Sequence, residues 1–173
     1  MNSIKFFILF FLLIFGFNIQ AQDWKPMVIN EAIGFDFPEE YEVRLRDSSK
    51  AYLSKGYFSA ITFIEQPIDS NEITSKKELI RKYKGIYKEA SKSLAATSRK
   101  KRFVKIGELR GMLTTISFPL RNQKTYITSF IIVADRHLYS FSYMSLTDSA
   151  LFDKLFQSIY FKQEFTSEDQ YWK

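Results

Sequence analysis

Residues 103–146, FVKIGELRGMLTTISFPLRNQKTYITSFIIVADRHLYSFSYMSL, decide the fold. They read as four successive β-strands separated by short turns: Phe103–Leu109, Met112–Phe118, Tyr126–Asp135 and Leu138–Leu146. Turns this short favour antiparallel neighbours, because a parallel crossover needs a dozen or more residues. The segment Tyr126–Val133 is apolar on both faces, which is typical of a central strand that is covered on both sides.

An amphipathic helix precedes this run of strands. Ser75, followed three residues later by Glu78, forms a capping box, in which each side chain satisfies an unpaired amide of the first turn. Apolar residues then recur at helical spacing and form one stripe: Leu79, Ile80, Tyr83, Ile86, Tyr87, Ala90 and Leu94. The pattern predicts a helix that starts at Ser75 and ends near Ala96 or Thr97.

Shorter elements lie on either side of these two segments. Ile33–Phe37 and Tyr57–Glu65 read as strands. Tyr41–Arg46 alternates apolar and charged residues, as a half-buried strand does, and a turn follows at Asp47–Lys50. A second amphipathic helix is predicted over Ser149–Tyr160.

The order of elements predicts an α+β fold. Three strands, a helix, four strands and a helix are accommodated by an antiparallel sheet of about six to seven strands flanked by two main helices, an α/β/α sandwich. Gln22–Asn30 and Phe165–Lys173 read as loosely held polar termini, and Arg99–Arg102 as a basic connection. We expect a single domain over residues 22–173.

The first 21 residues have the organisation of a secretory signal. Lys5 precedes an apolar run over Phe6–Phe17, and a more polar stretch ends at the small residue Ala21. The run is shorter than the roughly 20 apolar residues that a spanning helix needs. We therefore expect cleavage after Ala21, a secreted or periplasmic bacterial protein, and no stable membrane span in the mature form.

Charge is distributed unevenly along the chain. The formal net charge is +6, and removal of the predicted signal takes away only Lys5. Between Lys76 and Lys105, twelve lysines and arginines stand against Glu78 and Glu89, a local charge of +10. The mature chain therefore has one strongly basic region and an acidic remainder.

Most of these cations follow one side of the predicted first helix or extend beyond its end, where they also complement the helix dipole. The candidate contact residues are Lys77, Arg81, Lys84, Lys88, Lys92, Arg99, Lys100, Lys101 and Arg102. A solvated helix face is the plain explanation of such a pattern. The functional interpretation is contact with an anionic envelope component, such as lipid headgroups, lipopolysaccharide or acidic polysaccharide, or with an acidic protein. Export argues against nucleic acid as the partner.

The order of elements also resembles the PsbP-like fold, which the photosystem protein PsbP, the Ran-binding Mog proteins and DcrB-type bacterial envelope proteins share. The matching parts are the opening strand Gly34-Phe35-Asp36-Phe37-Pro38, the helix Ser75–Leu94, Gly107 and Gly111 at the first turn of the strand run, Leu138-Tyr139-Ser140-Phe141, and Phe152–Phe161. The resemblance implies a non-enzymatic binding or accessory protein. It assigns no functional residue, because members share architecture and not activity.

Catalytic, cofactor and metal signatures are absent from the sequence. His137 is the only histidine and there is no cysteine, so a typical zinc site is not available. No serine lies in a nucleophile elbow and no glycine-rich loop follows a strand. Glu39, Glu40, Asp69 and Glu72 read as solvated carboxylates, which leaves a hydrolase of unknown type as a remote alternative. We predict a protein that is not an enzyme and uses no cofactor.

An aromatic segment supports a second hypothesis about function. Tyr139, Phe141 and Tyr143 alternate with smaller residues and read as core, although they could also line a pocket between sheet and helix. The first hypothesis is an exported accessory or binding protein of the bacterial envelope. The alternative is a partner-protein or small-ligand binding module, of inhibitor or immunity type, that uses such a cavity. The terminal pair Tyr171-Trp172 is either an anchor to a partner or a frayed end.

Overall fold

A computed structural model describes residues 23–29, 33–46, 49–56, 59–69, 73–146, 150–161 and 164–170. The strands in these ranges are β1 (Trp24–Val28), β2 (Ile33–Pro38), β3 (Glu42–Arg46), β4 (Ser49–Gly56), β5 (Ser59–Pro67), β6 (Ser98–Ile106), β7 (Leu109–Leu120), β8 (Gln123–Ala134), β9 (His137–Ser145) and β10 (Tyr160–Phe161). The helices are α1 (Lys76–Ser93), α2 (Ala150–Ser158) and the 3-10 helix η1 (Ser167–Gln170).

Seven of the strands form one antiparallel sheet in the order β3-β4-β5-β9-β8-β7-β6, and β1-β2-β10 form a smaller sheet. Helix α1 packs on one face of the large sheet, where Tyr83 meets Ile131. The small sheet and α2 pack on the other face, where Phe35 and Phe152 share a cluster with Phe130. Because neighbouring residues of a strand point to opposite faces, the large sheet is covered on both sides. The predicted α+β class, with helices flanking an antiparallel sheet, is confirmed.

The core on the α2 side is aromatic. The ring of Phe35 lies 4.6 Å from that of Phe63 and 4.8 Å from that of Phe141. Phe35, Phe63 and Phe141 are all 0% exposed. Offset and edge-to-face contacts of this kind add stability beyond the burial of apolar area, so this layer fixes the small sheet and α2 against the large sheet.

The capping prediction for α1 is confirmed, with one change of partner. The amide of Glu78 donates to Ser75 Oγ at 3.3 Å, as the capping box requires. The Glu78 carboxylate accepts from the amide and the hydroxyl of Thr74, at 2.9 and 2.6 Å. These hydrogen bonds hold the pKa of Glu78 below its ordinary value. The helix ends at Ser93, slightly earlier than predicted, because Ala95 adopts a φ of +49°.

At the end of the β7–β8 pairing, two side chains form the hydrogen bonds that the backbones of the two strands do not form with each other. The paired register of the two strands begins at Gly111 and Ile132. Next to this point, Gln170 accepts from Arg110 N at 2.7 Å and donates to the carbonyls of Arg110 and Val133, each at 2.9 Å. Tyr83 Oη accepts from Val133 N at 2.8 Å and donates to Arg110 O at 2.9 Å. Burial raises the pKa of Tyr83 above its ordinary value.

This network corrects the prediction that the C-terminal segment is a polar tail. Gln170 is 1% exposed, and its amide side chain joins η1 to two central strands of the sheet. The sequence prediction failed because a glutamine among charged residues gives no local indication of burial. Tyr171 and Trp172 lie outside the described residues.

Two further segments differ from their predictions. The stretch Gln22–Asn30, read as loosely held, contains β1, which pairs antiparallel with β2 along its whole length. Ser49 and Lys50, read as part of a turn, begin β4, which pairs with both β3 and β5. Polar residues are tolerated in β1 because it is an edge strand whose residues are half-buried or exposed. In β4, Ser49 is half-buried and Lys50 is exposed.

Strand β3 is one of the two edge strands of the large sheet. Its apolar face was predicted to be buried, but it is exposed. Val43 is 51% exposed and Leu45 is 73% exposed. The aromatic layer ends at the pair Tyr41–Tyr52, whose ring centroids lie 6.0 Å apart. Alternation identified the strand, but it did not show that the covering layer stops before this edge.

Candidate functional site

Seven of the nine predicted contact residues lie together on one surface, here called the basic face. It consists of Lys77, Arg81, Lys84, Lys88 and Lys92 on α1 and of Arg99 and Lys101 on β6, all of them exposed. Lys101 Nζ lies 5.0 Å from the ring centroid of Tyr87, which places β6 directly beside α1. The two neighbouring elements therefore both contribute cations to this surface.

Lys100 and Arg102 are not part of this surface. Arg99–Arg102 was predicted to be a connection beyond the helix, whereas it belongs to β6, the second edge strand of the large sheet. Lys101 pairs with Thr114, on the α1 side, whereas Arg102 pairs with Leu113, which packs on the opposite side. Because side chains alternate along a strand, Lys100 and Arg102 share the side of Leu113.

The cations of the basic face are almost entirely unpaired. Arg81 Nη2 lies 3.3 Å from Glu78 Oε1, with the arginine side chain 77% exposed. Within the described ranges, the other six basic-face residues form no ion pair. Unpaired, exposed cations create a positive potential that extends about 10 Å into a solution of 0.1 M salt.

A cavity, here called the α1 cavity, lies between α1 and the sheet. Its apolar walls are Ile86, Tyr87, Ala90 and Leu94 from the helix and Met112, Ile116, Ile127 and Ile131 from the strands. Its hydroxyl-bearing residues are Thr114, Ser129, Ser140 and Ser142. The cavity has a volume of about 50 Å³, whereas a single water needs roughly 10–15 Å³. Tyr87 belongs to both this wall and the contact with Lys101, so the cavity lies beneath the basic face.

Hydroxyl groups cross the sheet under α1. Thr62, Ser142, Ser129 and Thr114 lie side by side on β5, β9, β8 and β7. Ser129 Oγ and Ser142 Oγ are hydrogen-bonded at 2.8 Å. Ser140 Oγ is buried without a hydrogen-bond partner among the described residues. An unpaired buried hydroxyl requires an explanation, because most such groups in proteins are paired.

The aromatic segment of β9 is core, as its first interpretation held. Tyr139, Phe141 and Tyr143 are 0%, 0% and 5% exposed and pack on the α2 side of the sheet. The α1 cavity is lined instead by the intervening Ser140 and Ser142. The signal that could have indicated this side is the pair of serines in a strand that pairs on both edges, where aliphatic residues are usual.

His137, the only histidine of the sequence, begins β9 and is half-buried. His137 Nδ1 lies 2.7 Å from the carbonyl oxygen of Asp135, and its ring stacks on that of Tyr139. Glu39 is ion-paired with Lys25, and Glu72 lies outside the described residues. Across the described ranges, no group of three or more His, Asp or Glu residues is arranged to hold a metal ion.

No helix in the described part of the chain is both long and apolar enough to cross a bilayer.

No protein-family model and no curated protein matches this chain. Among solved structures, PA94 from Pseudomonas aeruginosa, a protein of unknown function, is similar at 10% identity and a TM-score of 0.40, over 70% of this chain and 82% of that one. LpqN from Mycobacterium tuberculosis, which is involved in cell envelope biogenesis, is similar at 7% identity and a TM-score of 0.42, over 83% of this chain and 93% of that one. Both TM-scores are below 0.5, so neither similarity supports a conclusion about this chain.

Proposed function

We propose that this chain is an exported, non-catalytic binding protein of the bacterial envelope, with PsbP-like architecture, whose basic face contacts an anionic envelope surface or an acidic protein. The charge and apolar pattern of residues 1–21 supports export. The observation that carries the binding proposal is the row of exposed cations on α1 and β6, six of which form no ion pair within the described ranges.

Protection of a sheet edge does not account for the whole row. Edge strands often carry lysine because charge prevents pairing with other chains, and β6 alone would need no further explanation. Helix α1 presents no unpaired strand, yet it contributes Lys77, Lys84 and Lys88 to the same surface. These three residues repel one another and the β6 cations, so the arrangement favours binding to an anion.

The expected strength follows from the number of cations. A lysine or arginine close to an anionic membrane surface contributes about 1 kcal/mol at moderate salt. Seven such residues would give several kcal/mol, enough for measurable association. The same attraction is screened at higher ionic strength, so binding should fall steeply as salt increases.

The test is co-sedimentation of the purified protein with vesicles that contain phosphatidylglycerol and phosphatidylcholine, at about 20 mM and 300 mM salt. We expect retention at low salt only, and no retention on phosphatidylcholine alone. The variant Lys84→Glu/Lys88→Glu should weaken binding by at least about thirtyfold, which corresponds to about 2 kcal/mol for the two lost cations. A parallel measurement with alginate distinguishes an acidic polysaccharide from a lipid surface.

The matched control is Lys50→Glu/Lys154→Glu, which makes the same change in net charge. Lys50 lies on β4, five strands away from β6, and Lys154 lies on α2. This control should retain most of the binding. Equal losses in both double variants would mean that net charge alone matters, and an absence of low-salt binding to both anionic materials would refute the proposal.

A second candidate function is the binding of a small molecule, and the α1 cavity is the specific observation that favours it. All the described residues that line the cavity are uncharged, so this function does not require the cations of the basic face.

A further inference from the structure

The serines of β9 face a position where burial would favour aliphatic residues. Strand β9 lies in the middle of the large sheet, between β5 and β8. Ser140 and Ser142 are 2% and 1% exposed and point toward α1. Valine or isoleucine at such positions would gain burial energy and suit a strand better. Serine at these positions buries less apolar surface than valine or isoleucine would. Departures of this kind from the preferred residue are common at functional sites.

The Ser140 hydroxyl also lacks a partner. It borders the α1 cavity, and its oxygen has no hydrogen bond among the described residues. Leaving a buried donor unpaired is unfavourable. A ligand atom that accepts a hydrogen bond would remove this cost, because the hydroxyl borders the space that the ligand would fill.

We propose that the α1 cavity binds a small, uncharged, mainly aliphatic molecule that carries one hydrogen-bond acceptor, which pairs with the hydroxyl of Ser140. The proposal rests on the second candidate function. The aliphatic character follows from the walls, chiefly Ile86, Ile116 and Ile127. The absence of charge follows because no charged residue is among the described residues that line the cavity, and burying an unpaired ion is very costly.

The probes for this site are the straight-chain primary alcohols from butan-1-ol to decan-1-ol, titrated into the purified protein by isothermal calorimetry. Heptanoate serves as the charged counterpart of heptan-1-ol. We expect saturable 1:1 binding of at least one alcohol. Affinity should first rise with chain length and then fall when the chain exceeds the cavity. Heptanoate should bind at least tenfold more weakly, because a carboxylate placed against Ser140 would be buried among uncharged residues.

Two variants assign the binding to the cavity. Ala90→Leu extends a side chain from α1 into the space and should weaken the best alcohol at least tenfold. Ser140→Ala removes the unpaired donor without disturbing any hydrogen bond among the described residues, and it should weaken the same alcohol about fivefold while leaving the fold intact. Gly85→Ala, on the same helix but outside the lining, is the control and should bind as the parent does.

The outcomes separate this proposal from the proposal about the basic face. Alcohol binding should be unchanged between 20 mM and 300 mM salt and should persist in Lys84→Glu/Lys88→Glu, whereas vesicle binding should not. No saturable binding of any alcohol would overturn the inference and leave the cavity to ordered water. If Ser140→Ala bound the alcohol as tightly as the parent does, the inference would also be overturned. This outcome can be read even if Ala90→Leu fails to fold.

Discussion

Removal of the Gln170 side chain should destabilise the protein far more than its place near the C-terminus suggests. Gln170 is 1% exposed and makes three hydrogen bonds to the backbone of β7 and β8. In Gln170→Ala, the amide of Arg110 and the carbonyl of Val133 lose these bonds. The carbonyl of Arg110 keeps the bond from Tyr83 Oη.

The magnitude follows from the two groups left unpaired. Each buried backbone group without a partner costs roughly 1–3 kcal/mol, so Gln170→Ala should lower the free energy of unfolding by about 2–6 kcal/mol. Tyr83→Phe should lower it by about 1–3 kcal/mol, because only the amide of Val133 loses its partner. The two effects should not be additive, since both side chains serve Arg110 and Val133.

Urea unfolding followed by circular dichroism provides the measurement, with the midpoint and slope fitted separately. Glu164→Ala is the control in the same segment, because Glu164 is exposed and forms no ion pair with another residue that the structure describes. It should change the unfolding free energy by less than about 0.5 kcal/mol. If Gln170→Ala matched this control, the chain end would not be attached to the sheet in solution, and the described network would be wrong.

Gly111→Ala should lower the free energy of unfolding by about 1–3 kcal/mol, because a Cβ there would lie 2.3 Å from the Phe130 ring and 2.8 Å from the carbonyl of Ile131. Gly85→Ala, whose Cβ would meet nothing within 4 Å, should raise it by roughly 0.5–1 kcal/mol; the same urea assay checks both, and equal effects would contradict the packing described. Glu78→Gln tests the cap of α1: the pKa of Glu78 is lowered in the folded protein, so its ionised form stabilises the fold above the unfolded pKa, and this contribution is lost as pH falls through the folded pKa. The difference in unfolding free energy between parent and Glu78→Gln should therefore shrink below the ordinary value of 4.5, and a difference that stays constant from pH 7 to pH 3 would refute this account.

Local patterns were sufficient to predict both helices and the strands β3, β5, β7, β8 and β9 of the large sheet, whereas β4 and the first half of β6 were missed. The capping box at Ser75 placed the start of α1 correctly, and the apolar stripe that includes Leu79 and Tyr83 packs on the sheet as expected. Both signals depend on residues close together in sequence, where period and capping chemistry operate directly.

Features that depend on distant partners could not be predicted in this way. Arg99–Arg102 was read as a connection because four consecutive cations do not resemble a strand, although an edge strand exposed on both faces tolerates them. The burial of Gln170 depends on a gap between Arg110 and Val133, sixty residues or fewer away in sequence. No pattern near Gln170 reveals that gap.

The candidate site shows the same division. The helix spacing predicted that five cations of α1 share one side, and all five are exposed. The spacing could not show that β6 adds Arg99 and Lys101 while directing Lys100 and Arg102 elsewhere, since this depends on strand register. The α1 cavity is likewise formed by side chains from one helix and three strands.

The two edge strands of the large sheet, β3 and β6, differ in how readily they can pair with another copy of the protein. If two copies met through β6, the arginines and lysines of one β6 would face those of the other, and their repulsion would oppose this contact at low salt. At β3, Val43 and Leu45 offer no such resistance. Concentrated protein in strong salt would therefore be expected to assemble from the β3 margin first, which makes this strand the one to engineer for better solubility.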